Sequence, residues 1–197
     1  MKFSQIDVIG QERFILFTRK QTKGLSLWTK IMNSYHNPRN PTHTFSFYVP
    51  HYLYIRSVSF CDDVAEMIDK DFTTNHLAKI LYVDFLSYFK RKNDLHDIYS
   101  RLTVRDLSPA AIKPYQNEEA TKGILFEEVR GFELIETHLE HRLALKGEFL
   151  LRDMMEIYQD HTFTLENILE IVYCDFVEDY RKGLIKNPIN KIVQYIG

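Results

Sequence analysis

His138 and His141, in the run ETHLEHR beside Glu136 and Glu140, come closest to a metal-ligand pattern in this 197-residue chain. On a helix, a spacing of three puts both imidazoles on one face, which is two-ligand geometry for zinc. No third ligand can be picked out, and neither H-E-x-x-H nor the E-x-x-H spacing of di-iron bundles occurs. The simpler reading is a surface pair flanked by carboxylates. A metal-dependent hydrolase is the least favoured of three functional classes.

The other routes to catalysis are weaker still. The seven glycines are scattered, so no phosphate-cradling G-x-G-x-x-G or G-x-x-x-x-G-K-S/T loop exists, and no G-x-S-x-G elbow is present. Cys61 adjoins Asp62 and Asp63, which oppose a thiolate, and Cys174 falls within an apolar stripe. The two cysteines form neither a disulfide framework nor a zinc ribbon. The expectation is a non-enzymatic protein without cofactor, metal or catalytic residues.

Binding chemistry is easier to find. The stretch HNPRNPTHTFSFYVPHYLYIRS, residues 36–57, combines histidines, arginines, prolines and aromatics with no acid. From Thr44 its period is two: Phe45, Phe47 and Val49 point one way, Ser46 and Tyr48 the other. Pro50 interrupts the ladder, and Leu53 and Ile55 then alternate against Tyr52, Tyr54 and Arg56. Two strands with a break at Pro50–His51, or one bulged edge strand, would set Tyr48, Tyr52, Tyr54 and Arg56 on a wet face. Tyrosine faces beside Arg13, Arg19, Lys20, Lys23, Lys30 and Arg39 are the ingredients of nucleic-acid contact, and equally of a protein interface.

Charge is unevenly distributed. Residues 1–60 carry +6, residues 61–117 carry −1 and residues 118–197 carry −7, within a net charge of −2. The clearest helix, TLENILEIVYCDFVEDYRKG, places Leu165, Ile168, Leu169, Val172, Phe176 and Tyr180 on one stripe, with Thr164 as cap and Gly183 as stop. Its carboxylates Glu170, Asp175, Glu178 and Asp179 would repel phosphates and suit a basic protein surface. They are the expected partner-binding set, and Tyr48, Tyr52, Tyr54 and Arg56 are the second candidate surface.

In the scaffold around these residues, FSQIDVI and RFILFTRK read as strands, and LSLWTKIMNSY as a helix ended by Asn37–Pro38. Helices follow over DDVAEMIDKDF, TNHLAKILYVDFLSYFKRKN and LHDIYSRL, then a Pro-marked linker at about 108–123. Further helices are expected near 132–146 and 148–160, broken by Gly147, and over NPINKIVQYI with Asn187 as cap and Pro188 at the first position. TKG recurs at 22–24 and 121–123, too short to define a repeat. The expected fold is α+β: a small N-terminal antiparallel sheet with one helix, then a helix-rich C-terminal half. Residues 1–107 form the mixed, basic region and 124–197 the acidic helical region, packed as one globular unit. No membrane-length apolar run and no apolar leader is present, so a cytoplasmic protein is expected.

The basic, aromatic front KGLSLWTKIMNSYHNPRNPTHTFSFYVP joined to the acidic LENILEIVYCDFVEDYRKG resembles small bacteriophage inhibitors that bind the primary sigma factor of bacterial RNA polymerase. The resemblance lends no site residues position by position. It implies a regulator in the host bacterial cytoplasm that inhibits or redirects promoter recognition through sigma's basic helix-turn-helix domain. A stand-alone nucleic-acid-binding protein is the alternative.

Overall fold

The computed structural model describes residues 4–21, 41–104 and 131–196. Among these the protein is α+β, with one two-stranded antiparallel sheet and seven helices. In chain order the elements are α1 (Val8–Gln21), β1 (Thr42–Pro50), α2 (His51–Ile68), α3 (Thr74–Lys92), α4 (Leu95–Val104), β2 (Phe132–Glu140), α5 (His141–Ile157), α6 (Leu165–Arg181) and α7 (Pro188–Val193). They form two compact units, each discontinuous in sequence: residues 1–45 with 138–165, and 46–137 with 166–197. The helix expected over residues 25–35, the connector after it and the linker at 108–123 lie outside the described residues.

β1 is the strand its alternation predicts. Phe45, Phe47 and Val49 are buried, while Thr44 and Tyr48 face outward. Burying each of those apolar side chains contributes about 1.5–3 kcal/mol.

After Pro50 the sequence reading fails, because the chain turns directly into α2 rather than a second strand. Tyr52, Leu53, Tyr54 and Ile55 alternate in type only locally. The buried positions Leu53, Ser57, Phe60, Cys61 and Val64 continue at helical spacing, so a longer window carries the true period. Pro50 lacks an N–H and sits at the N-cap, where a backbone N–H would have no intrahelical acceptor.

Three further assignments change. The segments FSQIDVI and RFILFTRK are not strands: α1 contains all of RFILFTRK and takes in FSQIDVI from Val8, and residues 4–7 before it are neither strand nor helix. The Asp7 carboxylate accepts a hydrogen bond from the Gly10 amide at 2.8 Å, an N-terminal cap that the apolar run had obscured. A Cβ at position 10 would meet that carboxylate at 2.1 Å, so the Asp7 side chain would have to shift to admit one.

The helix expected over 132–146 begins instead as β2, with Ile135, Thr137 and Leu139 buried at a period of two. Glu and Leu favour helix locally, and pairing with β1 overrides them. The sheet therefore draws its second strand from mid-chain rather than from the N-terminus. Gly147 does not break a helix either; it is buried inside α5.

The structure also reveals a repeat. β1–α2–α3 and β2–α5–α6 are the same strand–helix–helix unit. The strands and their following histidines, His51 and His141, stand 90 positions apart. In the last helix, ILYVDF at 80–85 matches IVYCDF at 171–176 in four of six residues. Tyr82 and Tyr173 are both fully buried, as are Leu77 and Ile168 at a further matched pair of positions.

At each strand–helix junction the first helical amide is still held by the opposite strand's approach. His51 N–H donates to the Gly131 carbonyl and His141 N–H to the Pro41 carbonyl, both at 2.8 Å and both in one antiparallel register. Strand thus passes into helix with no loop.

Helix ends elsewhere follow local chemistry. Thr73 and His76 form a capping box at α3, whose last turn holds Lys90, Arg91 and Lys92. Gly183 takes a positive φ of 69° just beyond α6, as expected of the stop residue. Asn187 and Pro188 open α7 as the sequence predicts.

Candidate functional site

The residues of the two surfaces expected from the sequence differ widely in exposure. α6 is not a surface helix with one apolar stripe. Ile171, Tyr173, Cys174 and Val177, on its other faces, are buried as deeply as Ile168 and Leu169. Glu170 and Asp175 are buried with them and present no acidic face to a partner.

Glu178 and Asp179 are half-exposed, but Glu178 is committed to its own helix end. Its carboxylate accepts from Arg181 at 2.7 and 3.0 Å and pairs with Lys182 at 3.0 Å. The Arg181 and Lys182 hydrogen bonds draw the Glu178 carboxyl down to about 2. The four acids are therefore one buried pair and one partly neutralised pair.

The second candidate set is likewise split between two elements. Tyr48 stands on β1, while Tyr52, Tyr54 and Arg56 belong to the first turns of α2. On a helix, Tyr52, Ile55 and Arg56 share a face at i, i+3 and i+4, and all three are exposed. Tyr54 points elsewhere and is half-buried.

What the fold does bring together is Tyr52 and Arg56 with the end of α6. The Arg56 guanidinium lies over the Tyr180 ring, 5.1 Å from its centroid, a cation–π arrangement. Burial, and then the Glu178 charge, raise the Tyr52 phenol, while Arg181 and Lys182 act in the opposite direction. Phe60 anchors this face from beneath, its ring 5.3 Å from Phe176 and 4.8 Å from Tyr180.

The result is an aromatic face edged by Arg56, Arg181 and Lys182 and holding one carboxylate, Glu178. Exposed Ile55 (56%) and Tyr52 (44%) are large apolar groups in water beside an arginine. Tyr and Arg are the residue types that dominate binding energy in protein interfaces. The sequence signal for this face was present but misread, because a period of two placed the tyrosines on a strand.

The histidines have structural roles that sequence spacing misassigned. His138 lies on β2 and His141 at the start of α5, so the pair does not share a helical face. His138 Nδ1 hydrogen-bonds the Thr44 hydroxyl at 2.9 Å. His141 is the centre of a buried chain: Nε2 meets Glu12 Oε2 at 2.9 Å, and Nδ1 meets His43 Nε2 at 2.8 Å.

The Nε2–H of His141 donates to the Glu12 carboxylate, and a single proton bridges His141 Nδ1 and His43 Nε2. Burial, with the neighbouring His141, lowers the pKa of His43. Among the described residues no group of three or more His, Cys, Asp or Glu is arranged to hold a metal ion. Among them, too, no helix is long and apolar enough to cross a membrane.

No protein-family model, curated protein or solved structure matches this chain.

Proposed function

We propose that the protein is a non-enzymatic regulator that acts by binding another protein through the Tyr52–Ile55–Arg56 face of α2. The observation that carries this reading is the exposed Tyr52 and Ile55 beside an arginine stacked on Tyr180. The partner implied by the sequence resemblance is the primary sigma factor of a phage host's RNA polymerase, with inhibition or redirection of promoter recognition as the outcome.

The face carries three cations and one carboxylate, so its complement is an acidic segment with room for aromatic rings. This revises the mode of docking: the expected acidic surface for a basic promoter-reading domain is not assembled, since Glu170 and Asp175 are buried. Nucleic acid is the second reading, favoured by the same cations and tyrosines. It is opposed by the outward residues of β2, where Glu136 and Glu140 are exposed.

Immobilised full-length protein, challenged with purified bacterial polymerase and with free sigma, tests the proposal. Retention of sigma is expected, with at least a tenfold loss on Arg56→Ala or Tyr52→Ala, typical of interface anchors. Retention of nuclease-sensitive nucleic acid alone, lost steeply with salt, would instead establish the second reading.

A further inference from the structure

The Tyr52–Ile55–Arg56 face does not end at Arg56. Steps of three and four residues along α2 lead on to Ser59, Asp62, Asp63, Glu66 and Met67, and every one of these is exposed. The positions between them, Leu53, Ser57, Phe60, Cys61 and Val64, are the buried side of the same helix. One outward stripe therefore runs along α2, spanning about 20 Å from Tyr52 to Met67 at 1.5 Å per residue.

The two halves of the stripe carry opposite charge. The N-terminal half has Arg56 over Tyr180, with Arg181 and Lys182 of α6 close enough to act on Tyr52. The C-terminal half has Asp62, Asp63 and Glu66, followed by Asp69 as the C-cap residue. Among the described residues, none of Asp62, Asp63 and Glu66 takes part in an ion pair. The last turn of α2 holds no basic residue, so Glu66 and Asp69 stand at the negative end of the helix dipole. α3 follows the opposite and favourable rule, with Lys90, Arg91 and Lys92 in its last turn. Beside the α2 acids Met67 is left 56% exposed. A helix end that breaks the local rule and shows an apolar side chain to water is where a binding surface is expected.

We propose that the occupant of this stripe is one helix of a partner protein, with acidic side chains at one end and basic ones about two turns further along. Its acids meet Arg56, Arg181 and Lys182, and its lysines or arginines meet Asp62, Asp63 and Glu66. Its apolar side chains lie on Tyr52, Ile55 and Met67, and the small Ser59 between them allows close approach. A straight stripe at spacings of three and four is the surface that one helix offers another. A uniformly acidic segment is repelled by the second half of the stripe, and a uniformly basic one by the first. A nucleic-acid backbone held at Arg56 would meet three carboxylates within about 15 Å along the helix. This inference rests on the Tyr52–Ile55–Arg56 reading and adds to it the order of charges that the partner must carry.

The test titrates the full-length protein with three synthetic helical peptides that share one apolar stripe. The first is acidic at one end and basic at the other, the second acidic throughout and the third basic throughout. The mixed peptide is expected to bind at least tenfold more tightly than either of the others in calorimetry. Asp63→Lys combined with Glu66→Lys should transfer the preference to the acidic peptide, and Arg56→Glu should transfer it to the basic one. All three positions are exposed, and circular dichroism checks that each variant keeps its fold. Tightest binding by the acidic peptide, unchanged in the Asp63–Glu66 variant but lost in Arg56→Ala, would overturn the charge order and leave the Tyr52–Arg56 face standing. Saturable binding by none of the peptides, or tighter binding of a single-stranded oligonucleotide than of the mixed peptide, would also overturn the inference. The Tyr52–Arg56 reading itself falls only if retention of sigma survives Arg56→Ala.

Discussion

The two strand-to-helix junctions of this protein share a backbone and differ in their electrostatics. At Glu140–His141 and at Pro50–His51 a strand runs into a helix without a loop. In each the leading histidine uses its amide to hold a carbonyl and its Nδ1 to hold the second residue of the opposite strand. At the first junction that residue is His43, and Glu12 of α1 closes the chain on the far side. At the second it is Glu133, 2.8 Å from His51.

One junction is thus a buried imidazole pair backed by a carboxylate, and the other a half-exposed hydrogen bond between an imidazole and a carboxylate. The backbone hydrogen bonds suffice to make the turn, and the side chains are free to give each junction a different dependence on protons.

The largest difference between them is expected on removing the histidines. His141→Ala leaves the buried His43 and the half-buried Glu12 without their partner, and stability should fall by about 1–3 kcal/mol. Urea unfolding of the full-length chain measures this, and a loss no greater than that of His51→Ala would erase the distinction between the junctions.

Next in size is a pH effect confined to the first junction. The His43 pKa is lowered from 6.5 in the fold. The unfolded chain therefore takes up the proton first, and stability is lost as pH falls from about 6.5 toward the lowered value. The urea midpoint should drop over that interval in the native protein and drop less in His43→Gln. A parallel decline in both would mean that the pair is not the group being titrated.

The smallest effect is expected at His51. The pair it forms with Glu133 is 30% and 42% exposed at its side chains. Such pairs contribute at most about 1 kcal/mol, less in salt. His51→Ala should shift the same midpoint only slightly, and the shift should shrink further in high salt.

Much of the local structure was legible from residue types. β1, α3, α4, α6 and α7 arise where period, caps and stops indicate them, because Pro188, Gly183 and the basic end of α3 act within a few residues. The failures have a common cause. TyrLeuTyrIle at 52–55 alternates for too few residues to outweigh the helical spacing that continues to Val64. LeuIleGluThr at 134–137 has helix-forming neighbours that only strand pairing overrides. The repeat was visible as ILYVDF and IVYCDF, yet six residues at a separation of 91 gain meaning only once both are seen as the same helix of the same unit.

By itself, then, the sequence determined that this is an α+β protein with a strand running from Thr44 up to Pro50, well-capped helices and no recognisable catalytic motif. These properties depend on near neighbours along the chain. Burial and juxtaposition depend on residues far apart, and only the tertiary structure decided them. It withdrew Glu170 and Asp175 from the surface, brought Tyr52 and Arg56 to the end of α6, and set His43 against His141. A helix's outward pattern of charge predicts its solvent face only when one side is left to solvent, and α6 is enclosed on nearly all sides.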